Sequence, residues 1–583
     1  MARALRLIGV SAPKPRRAPL VDPRAGDVES DASSTEKRSL LSLAGGILAE
    51  VSFPKLLGAF ALLVVVPAVL LGAAPLLVTM WFGTVATIPR SAGIWVTLVL
   101  VFALFALAWF GGPRLRHMVE NSFWSLNALA VQPGYAALRE ALAHLAELIK
   151  RGASERRRSA VRATSAAIAG MLICVLGVWI ARAVWPSTRW FGTLADLQSP
   201  GHLALFGLAN SIVLVAGYCA VAGLVWGIAD ATMPQLHEIR SFRPRSAARR
   251  AWRVAHLSDI HVVGERYGFR LGSGRKGTRG NERLLNTLTR LEEVHRANPL
   301  DAILITGDLT DAGTSAEWAE LLDVFDANPA LADLIVALPG NHDVNIVDRA
   351  NPARLDLPGS PKMRLRQVRT LSALEVIQGA RVHVVTEDTG RVDTTTLTDS
   401  MRSHAAELTA FADNGSRRLS RSLERAWTTA FPMVLLPDRD DGLGIIALNS
   451  NAESHFSFTN ALGLMSLDQA HALDTVFAQY PRAHWVVALH HHLVEHHRLG
   501  EGLGVRIGTT LINGNWFARR LQRIGERAVV MHGHRHIDLI GRCGTLTVVS
   551  APSVVMGEPY FYVHTLGVDA DGRLTLLEPE RIQ

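Results

Sequence analysis

A chain of 583 residues exceeds what one compact core usually holds, about 100 to 200 residues per domain, so two or more units are expected. It is 49% hydrophobic, apolar for a soluble protein, and the apolar residues concentrate before residue 230, so a membrane part should precede a soluble part. Its three cysteines exclude a disulfide framework and a CxxC zinc site, since Cys174 and Cys219 lie within apolar runs and Cys543 stands alone in the soluble half; a reducing compartment fits. The net charge of +8 does not call for nucleic acid, because the clustered arginines flank apolar segments, where a bilayer accounts for them.

Residues 1–55 are rich in Arg, Pro, Ser and Ala with little apolar periodicity, and are expected to form a disordered cytoplasmic tail. No signal peptide is apparent, because the first long apolar run begins near Leu56. Four runs, 56–82, 94–110, 163–185 and 203–229, lack Asp, Glu and Lys, and at about 1.5 Å per residue they match a hydrocarbon core roughly 30 Å thick. The second is short, and Arg182 must snorkel from the third. Residues 56–230 are therefore read as a four-helix transmembrane region, because helices of soluble domains rarely stay apolar on every face.

Lysine and arginine accumulate on the cytoplasmic side of a membrane, and here they crowd the segment 111–162 as Arg114, Arg116, Arg139, Lys150, Arg151, Arg156, Arg157, Arg158 and Arg162. The loops after the first and third runs carry only Arg90 and Arg189, whereas Arg240, Arg243, Arg245, Arg249 and Arg250 follow the fourth. A multi-pass protein of the cell membrane is expected, with both termini cytoplasmic. Within the basic segment, Leu138, Leu142, Leu145, Leu148 and Ile149 recur at helical spacing, which fits either an interfacial amphipathic helix or a helix packed on the soluble domain.

Beyond residue 251 short β-type runs alternate with helical stretches, predicting a mixed α/β domain to residue 583. Strands are expected over 253–257, 302–305, 334–338, 444–448, 485–489, 528–531 and 546–549, while 344–437, charged and helical with few strands, reads as an insertion over the active-site face. Five polar clusters follow five of these strands: Asp259-Ile260-His261, Gly307-Asp308, Gly340-Asn341-His342-Asp343, His490-His491-His492 and Gly533-His534-Arg535-His536. Strand ends are where an α/β scaffold presents ligands, and carboxylate, amide and imidazole together suit Mn, Fe, Zn or Co. One Asp-x-His or one lone histidine would mean little; five clusters in this order and context are hard to obtain by chance.

In its order DxH, GD, GNHD, H, GHxH, this part of the chain resembles the calcineurin-like metallophosphoesterases, over about 251–576 apart from the insertion. The resemblance implies a four-layer domain of two packed mixed β-sheets flanked by helices, and two divalent metal ions. It implies that Asp259, His261 and His536 hold one ion, that Asn341, His490 and His534 hold the other, and that Asp308 bridges both. His342 would contact phosphate and protonate the leaving group, oriented by Asp343. The family often has His-His-Pro where this chain has His490-His491-His492, so His491 is the fallback to His490. His484, His496 and His497 are expected at the surface, His256 and His532 in structural roles.

The expected activity is hydrolysis of a phosphomonoester or phosphodiester at the cytoplasmic membrane surface, on a nucleotide or a lipid-linked phosphate. Membrane lipids are expected neighbours; nucleic acid is not an expected partner. A loop with Arg270, Arg275, Lys276 and Arg279 could reach a second phosphate or simply be solvated, and Asn449, Ser450 and Asn451 could line the pocket. Two rivals stand beside this reading. One is a membrane signalling or ligand-sensing protein with a phosphoesterase-like output domain, disfavoured by spans without buried acidic residues and by a full set of metal positions; the other is a nuclease.

Overall fold

The computed structural model describes residues 22–23, 57–58, 60–83, 102, 131–149, 155–244, 250–264, 281–345, 361–386, 390–414, 416–453, 460–495, 509–556 and 558–583. They fall into two compact units that meet in sequence between Met233 and Pro234.

In the first unit, three helices are long and apolar enough to cross a membrane: Val66–Gly83, Ser159–Ser187 and Pro200–Ala231. They match the first, third and fourth apolar runs; the second, 94–110, lies outside the described residues apart from Phe102. Large apolar side chains face outward along them, with Trp179 and Val221 each 65% exposed, as a lipid-facing surface requires. The leucine spacing in the basic segment does yield a helix, Gln132–Ile149, but among its described leucines Leu138 and Leu142 are only half-buried. Tyr135, Ala136, Glu140 and Ala143 are buried, whereas Leu145 is exposed, and the helix packs on Glu155–Val184 of the same unit. Polarity draws that face inward. The Tyr135 hydroxyl donates to Asp230 Oδ2 at 2.9 Å, and the Arg139 guanidinium pairs with the same oxygen at 2.6 Å. Asp230, in the last turn of Pro200–Ala231, is thus a buried, paired acid just past the run that appeared free of acids.

The second unit contains strands β1 (Leu236–Glu238), β2 (Arg250–Leu257), β3 (Ala302–Ile305), β4 (Ile335–Ala337), β5 (His383–Val385), β6 (Val392–Thr396), β7 (Met433–Leu435), β8 (Leu443–Ala447), β9 (His484–Ala488), β10 (Ala528–His532), β11 (Leu539–Cys543), β12 (Leu546–Ser550), β13 (Phe561–Val568), β14 (Leu574–Leu576) and β15 (Glu580–Ile582). One sheet runs β1-β11-β12-β10-β9-β8-β7-β5-β6, the other β14-β13-β2-β3-β4, with β15 on β13. Both are mixed. β2, β3 and β4 are parallel to one another, as are β8, β9, β10 and β12.

The parallel strands β3, β4, β9, β10 and β12 are buried along their whole length, which is why they read as apolar runs such as Ala-Ile-Leu-Ile in β3 and Ala-Val-Val-Met-His in β10. One apolar core takes side chains from both sheets, including Val254, Ile303 and Val336 from one and Val486, Val529 and Val549 from the other. The stretch 344–437 supplies several helices and also three strands, β5, β6 and β7, that complete one edge of the larger sheet. All seven expected strands are present, and because the parallel ones carry the polar clusters at their C-terminal ends, residues from two sheets meet in one place.

Candidate metal centre

Each motif turns sharply out of its strand. Among the described residues, the non-glycine positions with positive φ are Asp259, His261, Asp308, His534 and His536, with φ between 40° and 73°. Such residues cost about 1–3 kcal/mol each and persist only where surroundings over-determine them. All five are candidate ligands, so strain is concentrated where side chains must be aimed. Gly307, at φ +93°, makes the turn into Asp308, and a Cβ on it would meet His490 Nδ1 at 2.5 Å. Gly340 is pressed against the backbone and carboxylate of Asp308, which explains the glycine that opens Gly-Asn-His-Asp.

The buried carboxylate of Asp308 lies at the centre. Its Oδ1 is 3.4 Å from His490 Nε2, and its Oδ2 is 3.7 Å from His261 Nε2. On the His490 side, Asn341 Oδ1 and His534 Nδ1 each approach His490 Nε2 to 3.1 Å. On the His261 side, Asp259 Oδ1 lies 3.3 Å from His536 Nε2. Ligand atoms of Asp259, His261 and His536 all fall within 4.8 Å of one another, as do those of Asp308, His490 and His534.

Hydrogen bonds behind these atoms select which face inward. His490 Nδ1 donates to the Thr306 carbonyl at 2.8 Å, leaving the Nε2 lone pair for the centre. His491 is also buried, but its Nδ1 is engaged by Ser450 Oγ at 2.9 Å. The Ser450 hydroxyl oxygen also accepts from the backbone N–H groups of His490 and His491. Asn451 donates to the Pro339 carbonyl at 3.0 Å.

The electrostatics favour positive charge here. Burial would raise the Asp308 carboxyl, but His490 and then His342 hold it well below the usual carboxylate range. Burial likewise opposes the charge on Asp259, which His536 keeps low. His490 is pushed up to about 9, its burial outweighed by Asp308, whereas burial holds the neutral forms of His534 and His491. Ionised carboxylates among imidazole lone pairs, with His534 Nε2 buried and without a hydrogen-bond partner, form a donor set that fits divalent cations.

His342 lies beside the centre, 19% exposed, with Nε2 4.0 Å from Asp308 Oδ2 and Nδ1 donating to the Asp311 carbonyl at 2.7 Å. Asp343 does not orient that imidazole as expected. Its carboxylate accepts from the N–H groups of Leu309, Thr310 and Gly340 and from the Thr310 hydroxyl, and so ties two motif loops together. Burial and the neighbouring Asp308 charge raise it to about 6.

Asp311 is the residue that sequence reasoning passed over. It is fully buried, its Oδ1 is 3.4 Å from His261 Nδ1, and its ligand atom clusters with those of His261 and His342. The signal was a second carboxylate three residues after Asp308. His484, expected at the surface, is buried, its Nε2 bonded to the Gly572 carbonyl at 3.1 Å. His256 and His532 are buried within strands, the former 3.0 Å from Thr306 Oγ1. Arg270, Arg275, Lys276, Arg279, His496 and His497 lie outside the described residues.

Residues 253–538 match the family of calcineurin-like phosphoesterases, and that segment supports a metal-dependent phosphoesterase of the hydrolase class. Solved structures with a similar chain course include a protein assigned as a 5'-nucleotidase from Staphylococcus aureus, 15% identical with a TM-score of 0.32, covering 57% of this chain and 54% of its own. This chain therefore spans about half the length of that nucleotidase. A dimetal phosphatase from Danio rerio is 12% identical with a TM-score of 0.32, covering 57% of this chain and 98% of its own. No curated protein matches the chain in sequence.

Replacing Gly307 tests the crowding directly. Gly307→Ala should strain a left-handed position and displace the His490 ring, lowering both thermal stability and divalent-cation binding; an unchanged melting curve with unchanged cation binding would contradict the geometry.

Proposed function

We propose that the chain hydrolyses a phosphomonoester or phosphodiester with two divalent cations at the cytoplasmic face of the cell membrane. The observation that carries this reading is the placement of Asp308, whose two oxygens face two separate groups of donor atoms. Asp259, His261 and His536 would hold one cation and Asn341, His490 and His534 the other, with Asp308 shared. When bound, the pair, Mn, Fe, Zn or Co, supplies Lewis acidity to the phosphate and acidifies an attacking water.

The remaining work falls to this chain's own residues. The Nδ1–H of His342 is held by the Asp311 carbonyl, which directs Nε2 toward the Asp308 side of the centre, where an imidazole would donate a proton to the leaving oxygen. Asp343 acts at one remove by holding the loop from which His342 projects. The substrate would be a nucleotide or a lipid-linked phosphate; fusion to apolar spans favours the lipid-linked one, although anchoring alone also accounts for the spans. Four spans, the second over 94–110, an N-terminal tail over 1–55 and a four-layer catalytic domain over 251–583 complete the proposal.

The two roles separate in mutants. Asp308→Ala should lose bound metal and turnover together. His342→Ala should keep both metals yet lose turnover by about a hundredfold, with a smaller loss on substrates whose leaving groups are good. Metal loss in His342→Ala, or an equal rate loss across a leaving-group series, would refute the proton-donor role.

Orientation is read out with topology reporters. Fusions after Gln583 and near Arg151 should report the cytoplasm, and one placed within 186–202 the opposite side; a cytoplasmic signal from 186–202 would end the four-span arrangement.

A further inference from the structure

The helix Pro361–Gln378 is buried on nearly every face although Arg364, Arg366, Gln367, Arg369, Thr370, Ser372 and Gln378 are among its buried residues. Burying such groups is costly unless they find partners, so the partners show what the helix is for. Arg366 Nη1 donates to the Asn345 carbonyl at 2.9 Å, Arg369 Nη1 to the Gly313 carbonyl at 3.1 Å, and Thr370 Oγ1 to the Asp343 carbonyl at 3.1 Å. Positions 366, 369 and 370 are spaced i, i+3 and i+4 and share one helix face. Farther along, the Gln378 amide accepts from the N–H of Ala337 at 2.7 Å and donates to its carbonyl at 2.8 Å.

All five hydrogen bonds fall on the backbone of the two loops that carry the chemistry, or on the strand leading into one. Gly313 closes the loop that holds Asp308 and Asp311, Asp343 directly follows His342, Asn345 lies two residues beyond Asp343, and Ala337 ends β4 just before Gly340. Asp343 already ties these loops together from within, through Leu309, Thr310 and Gly340. The helix grips the same two loops from outside, one residue from His342 and two from Asp311.

We propose that Pro361–Gln378 is a positioning brace for the reaction, with Arg366, Arg369 and Thr370 setting the loop of His342 against the loop of Asp308. The assignment rests on the phosphoesterase reading above and gives the stretch after Gly-Asn-His-Asp a task in that reaction. It needs none of these side chains to touch substrate. A displacement of about 1 Å between reacting groups costs turnover on the order of a hundredfold, so losing one brace contact, with partial relaxation, should cost about tenfold.

Thr370 gives the clean test, because valine keeps its shape and removes only the donor. In the full chain with Mn and a chromogenic phosphoester, Thr370→Val should lower kcat about tenfold, leave KM within about twofold and retain the wild-type metal content, while Thr370→Ser restores most of kcat. Arg369→Met should do the same, with partial rescue by Arg369→Lys; should Arg369→Met fail to fold, the Thr370 pair decides alone. A Thr370→Val chain with kcat within twofold of wild type, or a Thr370→Ser chain no better than valine, overturns the brace. A wild-type chain without turnover in the same assay would sink the phosphoesterase reading and the brace with it.

Discussion

A carboxylate buried between two sheets must be compensated from both sides, and Asp308 is that carboxylate. An unpaired charge in such a place costs several kcal/mol, yet its two oxygens face imidazoles delivered by different sheets, His261 after β2 and His490 after β9. The sheets have to pack at the distance and angle that make this possible. The shared apolar core, the parallel central strands and the left-handed turns at Asp259, His261, Asp308, His534 and His536 are all consequences of assembling one cation-seeking cluster from two sheet edges. Asp343, the Pro361–Gln378 helix and Ser450 then hold the turns so formed.

Much of this was legible in the sequence, for a physical reason. Strands buried on both faces are written as apolar runs, and a polar cluster immediately after such a run has few places to go except a sheet edge. Strands outside that pattern were not legible. β1, β5, β7, β14 and β15 have three residues each and, unlike the equally short β4, are followed by none of the five polar clusters, and β13 interleaves His564, Thr565 and Gly567 with its apolar positions. They lie toward the sheet edges or pair antiparallel, where alternation with polar residues is allowed.

Within the site, residue types could be read but not the atoms they address. Asp343 follows His342 in sequence, and adjacency made it a natural partner for the imidazole, but a helical turn points consecutive side chains apart, so the carboxylate closed a loop instead. Asp311 could have been found as the second acid of Gly-Asp-Leu-Thr-Asp, since a tight turn brings residues three apart together. His491 and Ser450 show a different limit: the direction in which His491 turns its Nδ1 depends on a serine about forty residues away in the chain. In the N-terminal unit, long apolar helices were plain, whereas the inward face of Gln132–Ile149 was set by Tyr135 and Arg139 meeting Asp230, a contact that leucine spacing could not foretell.

The central claim is that Asp308 is shared by two cations. Anomalous X-ray diffraction from crystals of the Mn-loaded chain measures this directly. The account predicts two anomalous peaks on opposite sides of the Asp308 carboxylate, about 3.5–4 Å apart, one within reach of Asp259, His261 and His536 and the other of Asn341, His490 and His534. A single peak, or peaks that leave Asp308 uncoordinated, would contradict it.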